Sequence, residues 1–151
     1  MNIPPLQANG ELPPGEHPAT LDEIEQVYGS SNDRRRLLMR GLRDAAAQFA
    51  QAGVKAFWIN GSFVTDKDMP NDIDGCWEYN PTVVIDKLDP VFLMRSRDAM
   101  KNKYGLDFFI ANIIEAGSGL PFPKFFQVNR EGEPKGILVV MLGETYHDYE
   151  R

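Results

Sequence analysis

Apolar positions along this chain recur at two periods. Between residues 33 and 52, Leu38, Leu42, Ala45 and Phe49 fall three or four apart, which is the spacing of one helix face. Ser31 or Asn32 stands ready as the N-cap of that helix and Gly53 as its stop. Thr20, with Glu23 three positions on, has the capping-box spacing and predicts a shorter helix over 21–28 that Gly29 ends. Asp89, Pro90 and Gly105 mark the cap, first position and stop of a third helix. Four runs rich in β-branched and aromatic residues read as strands: "VKAFWIN" (54–59), "DIDGCWEY" (72–79), "LDFFIANII" from Leu106, and "ILVVML" from Ile137. "FPKFFQVN" reads as a short helix and "REGEPKG" as a turn, "PTVVIDKL" is ambiguous, and "GETYHDYER" is a polar tail that includes His147. Residues 1–19 are rich in Pro and Gly and show no period, so they read as an extended N-terminal arm or as disorder. The expected fold is α/β (α+β): one domain over 20–151, with a small mixed sheet and helices packed mainly on one face.

Composition narrows the chemistry. A length of 151 residues with 42% hydrophobic and 25% charged content fits one domain that buries its own core. No apolar run reaches the roughly 20 residues of a membrane helix, and a cytoplasmic protein without a secretory signal is expected. One cysteine, Cys76, excludes an internal disulfide and a cysteine-based zinc site. The two histidines, His17 and His147, lie far apart, which argues against a histidine metal site and a Ser-His-Asp mechanism. A net charge of −6 disfavours a long nucleic-acid footprint. The basic cluster at Arg34, Arg35 and Arg36 reads as a solvated first helical turn.

The two acids in "DIDGCW" break the apolar pattern. On a strand, Asp72 and Asp74 project to one face while Ile73 points to the other. Like charges so close raise each other's pKa, and a cation between them removes the cost. Oxygen-only ligands suit Mg²⁺ or Mn²⁺. Asp107 is a lone acid in a later apolar strand, and a neighbouring strand would bring it beside the pair. Gly61 and Ser62 follow the strand 54–59, where glycine allows close backbone approach and amides with a hydroxyl at a helix start receive an anion. Lys67 is a candidate for a further positive charge on the same phosphates. Phe57, Trp58 and Trp77 flank the acids and read as core, Arg130 and Lys135 as turn residues, and Cys76 as a small buried filler.

The pattern "GSFVTDKDMPNDID" followed by "LDFFIA" resembles the nucleotidyltransferase superfamily of the DNA polymerase beta type. The wider sequence is similar to small uncharacterised bacterial and phage members of that superfamily. The resemblance implies that Gly61 and Ser62 hold a triphosphate, and that Asp72, Asp74 and Asp107 bind the metal, with Asp107 also activating the acceptor. It implies transfer of a nucleoside monophosphate from a nucleoside triphosphate to an acceptor hydroxyl, and the acceptor stays open between a protein partner, an RNA end and a small molecule. The chain looks like the minimal nucleotidyltransferases of toxin–antitoxin or phage-defence systems, because few residues remain after Asp107 for an acceptor-binding half. Two alternatives stay open: a catalytically inactive nucleotide- or partner-binding module, and a metal-dependent nuclease.

Overall fold

The computed structural model describes residues 3–93 and 97–142. The polar tail with His147, and the middle of the segment expected as one helix over 89–105, lie outside the described residues. Helix α1 spans Leu21–Tyr28, and its start is a complete capping box: the Thr20 hydroxyl accepts from the Glu23 amide while the Glu23 carboxylate accepts from the Thr20 amide. Helix α2 spans Asp33–Ala52. The Asn32 side chain caps it by accepting from the Arg35 amide, and Gly53 closes it in the left-handed conformation that glycine adopts freely.

Seven strands follow the chain: β1 (Gly15–Pro18), β2 (Ala56–Asn60), β3 (Ile73–Trp77), β4 (Leu106–Ile110), β5 (Ile114–Glu115), β6 (Leu120–Pro121) and β7 (Gly136–Met141). Five form one mixed sheet in the order β1-β7-β2-β3-β4, and β5 with β6 makes a small hairpin. The pairs β2–β3 and β2–β7 are antiparallel, whereas β3–β4 and β1–β7 are parallel. The fold is therefore α+β, with a five-stranded mixed sheet and four helices.

Four local differences from the expected elements have clear causes. The extended arm contains β1, which has no alternating pattern of its own and takes its order from hydrogen bonds to β7. β2 starts at Ala56, two residues late. The segment after Asp89 begins as a single 3-10 turn, Pro90–Phe92, and helix α3 is described over Arg97–Tyr104. "ANII" leaves the sheet and turns into the β5–β6 hairpin, which leads into the one-turn helix α4 (Phe122–Phe125).

The sheet separates two cores. On one face Phe57, Ile59, Ile73, Trp77, Leu106, Phe108 and Leu138 pack under α1, α2 and α3. Phe49 of α2 sits at the centre of that core, with ring centroids 4.6 Å from Phe92, 5.6 Å from Phe57 and 6.0 Å from Trp77. On the other face Trp58, Cys76, Ile137 and Val139 pack with Phe122 and Phe126 from and just after α4. This second core covers only part of its face. Asp74 and Asp107 lie on the same face, outside that second core. Among the described residues no helix is long and apolar enough to cross a membrane.

Candidate metal centre

Parallel pairing of β3 with β4 sets Asp74 directly opposite Asp107. Asp72 lies one residue before β3, and alternation puts it on the same side as Asp74, while Ile73 is fully buried in the helix-side core. The three acids each offer an oxygen, and these lie within 4.8 Å of one another. Asp107 is buried, at 6% exposure.

Helix α3 supplies counter-charges from positions four apart on one face. The Arg97 Nε lies 3.1 Å from Asp107 Oδ1, and the Lys101 Nζ lies 3.2 Å from Asp72 Oδ2. The Arg97 contact is one of charge rather than an aligned hydrogen bond, so Asp107 Oδ1 stays shielded from solvent with no hydrogen-bond partner. Among the described residues Asp74 has no ion-pair partner. Burial, reinforced by the charges of Asp72 and Asp107, pushes the Asp74 carboxyl up to about 6, and Lys101 and Lys135 only partly oppose this. Burial also raises Asp107, against the pull of Arg97 and Lys101. The hydrogen bond and attraction to Asp72 raise Lys101.

This donor set fits a hard divalent cation. It is oxygen-only, one buried oxygen is orphaned, and one acid is uncompensated. An octahedral ion with ligands at about 2.0–2.1 Å draws carboxylates of just this kind together.

Gly61 is physically coupled to the acids. It leaves β2 with φ 83° and ψ −162°, a region that only glycine occupies readily. A Cβ on Gly61 would collide with the Asp74 carboxylate. The two halves of "GSFVTDKDMPNDID" therefore touch, because antiparallel pairing returns Asp74 opposite Asn60. Ser62 follows and opens a single 3-10 turn, Ser62–Val64, instead of a helix with a useful dipole.

A cleft of about 400 Å³ opens beside this turn. Gly61, Ser62, Thr65 and Asp74 line it together with the cations Arg130 and Lys135 and the acids Glu11 and Glu131. Phe109 and Phe125 supply an aromatic wall. Burial lowers the pKa of Lys135, against the attraction of Glu11 and Asp74. The sequence reading had placed Arg130 and Lys135 in an ordinary turn. The antiparallel register of Ile59 with Leu138 carries the start of β7, and Lys135 just before it, to the exit of β2. No short-range signal in the sequence contains that neighbourhood.

Lys67 lines a separate cavity with Pro4, Tyr28 and Arg35, and it is not among the residues that line the cleft of Gly61 and Ser62. Arg35 is also displaced from expectation: it is buried instead of solvated. The aromatics that flank the acids are core. Phe57 and Trp77 are fully buried, and the Trp58 indole donates to Glu16 at 2.7 Å.

Residues 4–141 match the model of a family of unknown function, DUF6932, and the chain belongs to that family. No curated protein and no solved structure matches the chain.

Proposed function

We propose that this member of the family is a metal-dependent nucleotidyltransferase, moving a nucleoside monophosphate from a nucleoside triphosphate to an acceptor hydroxyl. The observation that carries the reading is the contact between two chemistries. Three converging carboxylates, one with an orphaned buried oxygen, adjoin a cleft with Ser62, Lys135 and Arg130 on its walls. The resemblance to nucleotidyltransferases of the DNA polymerase beta type points the same way.

Asp72, Asp74 and Asp107 would hold Mg²⁺ or Mn²⁺. When bound, the ion neutralises phosphate charge and favours in-line displacement. The Ser62 hydroxyl and the Gly61 backbone receive the phosphates, and Lys135 and Arg130 balance their charge. Asp107 would accept the proton of the acceptor hydroxyl. The acceptor oxygen then bonds to the α-phosphorus, the bond to the β-phosphate oxygen breaks, and pyrophosphate leaves. Phe109 and Phe125 offer the base an apolar wall on which to stack. The single free and buried Cys76 suits a reducing cytoplasm. A protein or RNA acceptor, as in a toxin–antitoxin or phage-defence pair, is the partner class that this reading adopts.

The test is incubation with α-labelled nucleoside triphosphates, Mg²⁺ or Mn²⁺, and candidate protein and RNA acceptors. Label transfer that disappears in Asp72→Ala and Asp107→Asn supports the reading. Transfer that survives both substitutions sinks it. A second reading, a nucleotide-binding module without catalysis, is favoured by one observation: Arg97 and Lys101 already compensate two of the acids. Calorimetry showing triphosphate binding, with no transfer to any acceptor, would select it.

A further inference from the structure

We infer that Arg35 is the positioning residue of the anion cleft. It fixes the course of residues 61–68, and through them the place of Ser62, without acting on the acid cluster. This rests on the nucleotide reading above.

Arg35 lies in the first turn of α2 and is 4% exposed. Its Nη1 donates to the carbonyls of Tyr28 at 2.9 Å and Phe63 at 2.8 Å. Its Nη2 donates to the carbonyls of Thr65 at 2.9 Å and Lys67 at 2.6 Å. Three of the four acceptors alternate along the loop, so one planar fork turns the carbonyls of residues 63, 65 and 67 inward together. The guanidinium also lies over the Phe63 ring, 5.2 Å from its centroid. Asn32, from the same helix start, donates to the Asp68 carbonyl at 2.7 Å and extends the hold to the end of the segment.

A buried cation held by neutral carbonyls is a costly way to gain stability, since apolar packing of equal volume usually serves as well or better. What the fork supplies is geometry. Its four donations define a loop path that no point charge reproduces. Thr65 relays that path to the cleft: its carbonyl is held by Arg35, while its hydroxyl and amide donate to the Ser62 carbonyl at 2.6 Å and 3.3 Å. Thr65 lines both the Arg35 cavity and the anion cleft. Asp74 and Asp107 take their places from strand pairing, and none of the hydrogen bonds of Arg35 reaches an acid of the cluster. A split follows, in which loss of the fork harms phosphate binding and spares metal binding.

Arg35→Lys keeps the charge and removes the fork. Three readouts on the full chain decide the matter: Mn²⁺ titration, binding of magnesium triphosphate, and amide hydrogen exchange. The expected result is Mn²⁺ affinity within about threefold of wild type and triphosphate binding weaker by about tenfold or more, the scale of one lost charge-assisted hydrogen bond. Exchange in residues 61–68 should quicken, with β3 and β4 unchanged. Ser62→Ala should add little on the Arg35→Lys background, because both act on one contact. Unchanged exchange in 61–68 overturns the inference. So does a parallel loss of Mn²⁺ and triphosphate binding, which marks a merely structural residue. A wild-type chain that binds Mn²⁺ but no triphosphate also overturns it, and quickened exchange in Arg35→Lys then locates the failure in the ligand reading and not in the clamp. If Arg35→Lys does not fold, Thr65→Val cuts the relay alone and must show the same split.

Discussion

Asp74 holds the tension of the site. Among the described residues it is an acid without an ion-pair partner, pressed against Gly61 and raised to about 6 chiefly by burial. Its folded-state pKa exceeds its unfolded value of 3.8. The stability it contributes is therefore fully present below the unfolded value and is lost as pH rises through about 6. Asp74→Asn mimics the protonated acid. It is expected to raise the melting temperature of the metal-free protein at pH 7.5, by about 2–4 °C for each kcal/mol of strain relieved. The same variant should lose the thermal shift that Mn²⁺ gives the wild type. A melting temperature that falls, or a Mn²⁺ shift that persists, would remove Asp74 from the ligand set. Gly61→Ala forces a Cβ into the space of the Asp74 carboxylate at a positive φ. It should cost about 1–3 kcal/mol in urea denaturation and weaken Mn²⁺ binding as Asp74 is pushed aside. Asp72 and Asp74 were legible in the sequence because strand alternation is local. The place of Lys135 in the cleft was not legible, because the walls of the cleft come from β2 and β7, which are neighbours only in the folded sheet.

At the scale of elements, local signals carried the helices and failed at the sheet edge. The Thr20 and Glu23 capping box and the Asn32 cap are where sequence spacing puts them, since each closes within three residues. β1 has the sequence "GEHP", with no pattern to find, because its order comes from β7. Asp107 could be seen as a lone acid, but its register against Asp74 follows only once the crossover through α3 is built. That crossover also places the two cations of the site, and it depends on a close approach. Gly41 of α2 faces the Tyr104 carbonyl at the end of α3, where a Cβ would overlap the carbonyl. Gly41→Ala is expected to destabilise the protein by about 1–3 kcal/mol through overpacking, measured by urea denaturation followed through the buried Trp77. A neutral result would mean that α3 shifts freely, and that its cations are not fixed on the acids.

For the whole molecule, the proposed metal site sets a divalent cation and a proton in competition for one place. At pH 7.5, Mn²⁺ at a hundred times its dissociation constant should raise the melting temperature by about 5–10 °C, the thermal equivalent of roughly 2.7 kcal/mol in a domain of this size. The shift should shrink as pH falls through about 6, where Asp74 takes up its proton. A shift independent of pH between 5 and 7.5 would place the ion elsewhere. The sheet order has a different consequence, which concerns how the molecule comes to exist. β7 lies between β1 and β2, with Gly15 beside Gly136 and Phe57 beside Val140. Every residue of β2 is buried in the finished fold, yet one edge of that strand has no partner until residues 136–141 have been made. Contacts this distant in sequence slow folding, and an open apolar edge invites pairing between chains. The nascent chain is thus in most need of a chaperone just before residues 136–141 emerge, when its acid-bearing strands are made and the partner of β2 is still missing.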